Sequence, residues 1–221
     1  MTAKVKTSVR CVDESLTEYA IGALSPAKHI IIACQSEISD EVAERIAFQE
    51  DLAATLMVDV GGTPLSPLFM GEVLAKLPPR CANDKFEEPY DSMAPNALRH
   101  ILGHGLRDIP WKSLIPGVAV HDLLGNRKYK EGDRLYLLRA KGGMQMPEHG
   151  HKGEEWTLIL TGSYTVGDDT YMRGDLHIED DTTEHSPYIN EGEDCICLVM
   201  TQAPLKMKPF MAKLVQPIVG I

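Results

Sequence analysis

Apolar residues in the first third of the chain recur at three- and four-residue intervals, the spacing that places them on one face of a helix. Leu16, Tyr19, Ala20 and Ala23 form one such set behind Asp13-Glu14-Ser15, and Gly22 weakens its end. Ser25-Pro26 reads as an N-cap followed by proline at the first helical position, predicting a second helix through Ile30, Ile31 and Cys34. A third begins at Ser39-Asp40-Glu41, where acids complement the helix N-terminus, and carries Val42, Ile46, Leu52, Ala53 and Leu56. Ser66-Pro67 repeats the cap-and-proline signal for a fourth helix with Phe69, Val73, Leu74 and Leu77, which Pro78-Pro79 stops.

The pattern then loses its period. Residues 79–108 read as a linker, with Pro79, Pro89 and Pro95 set among polar positions and a short helix at Asn96 to Leu102 ended by Gly103. After Ile109 the apolar positions alternate or run together. The segments 118–123, 133–139, 156–160, 163–166 and 195–200 read as strands, separated by Gly142-Gly143, Gly167-Asp168-Asp169 and Glu191-Gly192. Many short strands at such spacing predict a sandwich or barrel of the jelly-roll kind. The expected architecture is α plus all-β: a helical domain over 1–78, a linker over 79–108, and a β domain over 109–221 that includes a C-terminal tail.

Composition narrows the class. The 221 residues carry 43% hydrophobic and 24% charged positions, the mixture of a globular protein with a real core. The net charge of −10 argues against nucleic acid as a direct partner, because affinity for a phosphate backbone rests on cationic contacts. Half of that charge lies in the helical part, where six basic residues stand against eleven acids up to residue 79. A basic protein surface suits it better. Five cysteines at irregular positions, no secretory leader and no long apolar run suggest reduced thiols in the cytoplasm and no membrane association.

One constellation carries chemistry. In Gly143-Met144-Gln145-Met146-Pro147-Glu148-His149-Gly150-His151-Lys152-Gly153-Glu154-Glu155, the two histidines and Glu155 share strand parity and so one face. Two imidazoles and a carboxylate suit a divalent transition metal, and His185 is the candidate fourth ligand. Ligand chemistry alone allows zinc, manganese, iron or nickel. His177 alternates within a strand and lies outside the ligand set, while His29, His100, His104 and His121 show no partner at metal spacing. Cys195 and Cys197 share a strand face, which suits simple packing or an oxidisable pair beside the metal.

The string from Gly143 to Gly162 resembles the first cupin motif at every position. The second motif is kept at Gly174 and His185, with Asn190 near its place, while Asp180 and Thr182 stand where proline and glycine are usual. The helical half, through the run from Tyr19 to Pro26 and the later Thr63-Pro64-Leu65-Ser66-Pro67, resembles the anti-sigma domain of the ChrR-type anti-sigma factors. That resemblance implies a helical domain that clamps an extracytoplasmic-function sigma factor and a zinc-binding cupin that responds to oxidants. It also implies an N-terminal zinc site, yet its ligand positions fall here on Gln35, Ser39, Val42 and the neighbourhood of Arg10. One zinc per chain is therefore expected, at His149, His151, Glu155 and His185. The helical domain is expected to fold alone without metal, on Ile30, Ile31, Ile32, Val42, Ile46, Leu52, Leu56, Phe69 and Leu74. The competing expectation is a metal-dependent cupin enzyme, a dioxygenase or isomerase, since function lives in the site and not the fold.

Overall fold

The computed structural model describes residues 12–58, 60–64, 66–77, 93–123, 133–204 and 206–207. The expected Pro78-Pro79 stop, most of the polar half of the linker, Cys11, Cys81, Arg10 and the C-terminal tail beyond 207 lie outside these residues.

Five α-helices come first: α1 (Asp13–Ala20), α2 (Pro26–Ile38), α3 (Asp40–Val58), α4 (Phe69–Lys76) and α5 (Asn96–Leu102). Pro26 starts α2 behind Ser25, as the sequence pattern requires. Gly103 closes α5 in the left-handed region at φ 74°, a conformation that costs glycine little. The carboxylate of Glu37 in α2 accepts the backbone N–H groups of Asn96 and Ala97, which fixes the start of α5 against α2.

Among the described residues twelve strands follow. The large sheet contains β1 (Lys112–Ile115), β2 (Val118–Asp122), β3 (Arg134–Ala140), β5 (Glu155–Thr161), β8 (Leu176–Glu179) and β11 (Cys195–Thr201). It is antiparallel throughout, in the order β1-β2-β3-β11-β5-β8. Two smaller sheets hold β6 (Ser163–Val166), β7 (Asp169–Met172) and β10 (Tyr188–Ile189), and then β4 (His149–Gly150), β9 (Glu184–His185) and β12 (Lys206–Met207). The short strands β1, β4, β7, β9 and β10 escape the pattern reading because two to four residues are too few to establish a period.

The large sheet is buried on both faces. Tyr136, Ile159, Cys195, Cys197 and Val199 point inward and pack with Tyr164, Tyr171 and Ile189 of a smaller sheet. Their neighbours Leu135, Leu137, Trp156, Leu158, Leu160, Leu198 and Met200 point outward, into one continuous cluster with Leu16, Ile31, Ile32, Val42 and Ile46 of the helices. Helix α2 lies on β11 and β5. The second half of the expected linker joins the same cluster through Ala94, Leu98 and Leu106, and Ile109 follows at the start of the expected β domain. That half of the linker is therefore part of the core and no simple connector.

The expected self-contained helical core needs correction. Leu52 and Leu56 of α3 are 48% and 65% exposed, and Phe69 and Leu74 of α4 are 42% and 57% exposed. Only the first half of α3 finds partners, and the helices bury their apolar face on the barrel instead of on α4. Among the described residues no helix is long and apolar enough to cross a membrane.

Leu198 is fully buried on the outer face of β11, beneath the helices. Leu198→Ala is expected to cost about 2–5 kcal/mol. Helical circular dichroism and tryptophan fluorescence should fall together in one thermal transition at a lower temperature. Separate transitions for the two signals would contradict a shared core.

Candidate metal centre

The four sequence-predicted donors converge at one end of the barrel. His149 pairs with His185 across β4 and β9, so their imidazoles stand side by side. The chain leaves the strand at Lys152-Gly153 before Glu155 opens β5, so His151 arrives from a turn and not from a continuous strand. That turn is tight: a Cβ at Gly153 would meet the Gln202 side-chain oxygen at 2.8 Å. Gly162, which ends the motif at φ 66°, would place a Cβ 2.8 Å from the Asp194 carbonyl. At Gly162 the obstacle is backbone and φ is positive, so glycine is required, whereas at Gly153 it is the end of the flexible Gln202 side chain.

Donor atoms from His149, His151, Glu155 and His185 all lie within 4.8 Å of one another and could hold a metal ion. The three rings meet at interplanar angles of 78–80° with centroids 4.4–5.3 Å apart, so their nitrogens aim at a common point. His149 Nδ1 lies 2.8 Å from the Pro147 carbonyl, and His185 Nδ1 lies 3.1 Å from the Glu179 carboxylate. Each acceptor calls for a proton on Nδ1, which leaves a lone pair on each Nε2. These two Nε2 atoms are 2.8 Å apart. Two lone pairs at that distance repel unless a cation lies beside both. His151 Nε2 is buried without a hydrogen-bond partner, a further donor aimed at the same space.

The imidazoles are in the neutral state that a metal needs, while the carboxyl must give up a proton. Burial and the neighbouring imidazoles lower His151 and His185 to about 4, and burial lowers His149 as well. Burial raises the Glu155 carboxyl to about 8, partly offset by the Thr157 hydroxyl.

Sequence reasoning missed the groups behind the donors. Glu179 accepts from His185 and lies 2.7 Å from His177 Nε2, and His177 Nδ1 meets the Tyr164 hydroxyl at 2.8 Å. Burial alone would raise Glu179, but the Thr183 hydroxyl, His185 and His177 together hold it below its ordinary value. Such a carboxylate–histidine pair orients a ligand and fixes its tautomer. The shared parity of His177 and Glu179, in the strand just before His185, is the signal that could have found them. The departures at Asp180 and Thr182 also resolve: the Asp180 carboxylate accepts the Thr182 backbone N–H at 2.9 Å, making a turn without proline or glycine.

A cavity of about 110 Å³ opens beside the donors, touching His149, Glu155 and His185 and lined by Tyr136, Leu138 and Val199. Cys195 and Cys197 lie in its wall with their Sγ atoms 3.5 Å apart. The other histidines lie elsewhere: His29 stacks on Tyr19, and His104 faces the Gly105 carbonyl.

The N-terminal positions do not fit zinc. Gln35 is fully buried and donates its amide to the Gly174 carbonyl, Ser39 Oγ accepts the Val42 N–H, and Val42 is core. Among the described residues, both groups able to share an ion lie in the barrel.

Comparison with known proteins places these features in a lineage. Residues 103–204 match the family described as the ChrR cupin-like domain. The chain is 34% identical over 206 residues to the anti-sigma-E factor ChrR of Cereibacter sphaeroides, covering 93% of this chain and 94% of that protein. The crystal structure of Rhodobacter sphaeroides SigE in complex with the anti-sigma ChrR is similar with a TM-score of 0.73 at 31% identity, covering 88% of this chain and 98% of that one. An RmlC-like cupin protein from Ralstonia eutropha matches at 28% identity over 43% of this chain and 64% of its own, with a TM-score of 0.38.

The charge states make a prediction. At pH 7 the histidines are neutral, while a Glu155 carboxyl at about 8 is mostly protonated in the metal-free protein. Adding zinc to chelator-stripped protein should therefore release about one proton per ion, from Glu155. Calorimetry in buffers of different ionisation enthalpy checks the number. Release of two or three protons would mean that histidines give them up, against these assignments.

Proposed function

This chain belongs to the ChrR family of anti-sigma factors, and we propose that it sequesters an extracytoplasmic-function sigma factor in the cytoplasm, with a zinc-bearing cupin that modulates release under oxidative stress. The observation that carries the reading is an apolar surface on the helical half that nothing within the described residues covers. Phe48, Leu52 and Leu56 on α3, and Met70 and Leu74 on α4, are each between 48% and 67% exposed. Large apolar side chains exposed in this number on two helices are what an interaction surface presents. The acidic helical half adds a sign preference for a basic partner.

His149, His151, Glu155 and His185 would hold the metal, supplying three neutral imidazoles and one carboxylate. Zinc is the ion that the family resemblance favours, and its four-coordinate preference matches four protein donors. Glu179 would keep His185 in its ligating tautomer. The wall thiols Cys195 and Cys197 would place soft sulfur atoms next to the donors. The enzymatic alternative leaves the helical half and its exposed apolar face without a role.

Two measurements test this reading. Leu52→Asp and Leu74→Asp change exposed side chains, so stability should move by less than about 0.5 kcal/mol. Affinity for the cognate sigma factor should nevertheless fall tenfold or more, as expected when an interface anchor worth about 2 kcal/mol is lost. Unchanged affinity in both variants would remove this surface from the interface. Elemental analysis should find one zinc per chain, and near zero in the His149→Ala, His151→Ala double variant. Two ions per chain would mean that the helical half keeps a site of its own.

A further inference from the structure

Helix α2 crosses the outer face of the strands whose inner face carries the metal donors and their supports. In β5, Glu155 points to the metal centre and Trp156 to the helices. In β8, His177 and Glu179 support His185, while Leu176 and Ile178 pack in the helical cluster. Consecutive residues thus serve the two sites alternately, with no intervening layer.

Three polar contacts lock α2 onto these strands. Lys28 pairs with the carboxylate of Glu154, the residue before Glu155, and its ammonium sits 4.7 Å from the Trp156 ring centroid. Ser25 Oγ, at the start of α2, donates to the Asp133 carboxylate beside β3. Two turns along α2 from Lys28, the wholly buried Gln35 donates Nε2–H to the Gly174 carbonyl at 2.9 Å. Gly174 in turn donates its N–H to the Ile159 carbonyl in β5 at 2.9 Å. It is held between α2 and β5, immediately before the strand that carries His177 and Glu179.

We propose that α2, clamped through Gln35–Gly174 and Lys28–Glu154, is the element through which metal occupancy of the barrel acts on the helical half. Bound metal holds β5 and β8 in the arrangement that seats Lys28 and Gln35. Emptying the donors relaxes Glu155 and the Glu179 pair, and α2 loosens before the rest of the helical half. The inference rests on the metal-centre reading above and gives its regulation a route.

The test is hydrogen exchange by mass spectrometry on the full chain, zinc-loaded and chelator-stripped, with no sigma factor present. Chelation should speed exchange in peptides over 26–38 by about tenfold, the shift that loss of a buried hydrogen bond produces. Gln35→Met should exchange fast over 26–38 even with zinc bound and respond little to chelation. If that variant does not fold, Lys28→Met should show the same effect in weaker form. A response confined to peptides carrying β4 and β9 would overturn the coupling and leave the metal centre standing. No response anywhere would overturn both. Loss of sigma-factor binding in every metal state would reject the partner without touching the exchange result, so the two readings fail separately.

Discussion

Water is kept from both faces of the six-stranded sheet, and the helices depend on that. On the outer face Leu135, Leu137, Leu158, Leu160, Leu198 and Met200 supply a floor that α2 and α5 complete. Each side chain of this size contributes about 1.5–3 kcal/mol when removed from water. A helical half with Leu16, Ala27, Ile31, Ile32, Cys34, Val42 and Ile46 as its buried apolar positions has too few to close a core of its own. The barrel provides the missing side. Gln35 at a buried position becomes intelligible on this basis, since its amide donates to a carbonyl in the barrel.

The inner face sets a different constraint. Three imidazoles and a carboxylate brought within 4.8 Å cannot all be satisfied by one another. Protons on the imidazoles are disfavoured by burial, the Nε2 atoms of His149 and His185 oppose lone pairs, and Glu155 is a buried acid with a weak partner in Thr157. A divalent cation would remove all three difficulties at once, and the Tyr164–His177–Glu179 chain holds His185 Nδ1, which leaves its Nε2 turned toward His149. The cluster is therefore unfavourable when empty. On the proposed reading, this gives the barrel reason to change shape when a metal leaves.

The donors were legible because their spacing survives at the level of single residues. His149, His151, Glu155 and His185 were all named from the sequence, and all four converge. The long strands and the start of α2 were legible for the same reason, since period and cap signals are local. What lay beyond reach was tertiary. Exposure cannot be read from a helical stripe, so Leu52, Leu56, Phe69 and Leu74 looked like core although they face solvent. The linker assignment treated polarity and proline as evidence of no packing, while three apolar positions, Ala94, Leu98 and Leu106, suffice to bring that segment into the core. Glu179 was hidden because an outer partner of a histidine needs no motif spacing, only parity on a neighbouring strand.

Helix α3 brings these constraints together. Its apolar stripe is one pattern in the sequence, but Val42 and Ile46 are buried against the shared core while Leu52, Leu56 and Met57 continue into solvent. A stripe has no intrinsic end, so its division reflects where neighbours stop. The first turns are covered by α1 and α2, which are in turn seated on the barrel. The last turns, with α4 beyond them, keep an apolar face that costs solubility unless something else covers it. The packing that anchors α2 thus also aims the uncovered half of α3 outward. The same rigid helix joins the region the barrel holds to the surface on which a partner would act, so a change in the seating of α2 reaches that surface without any further hinge.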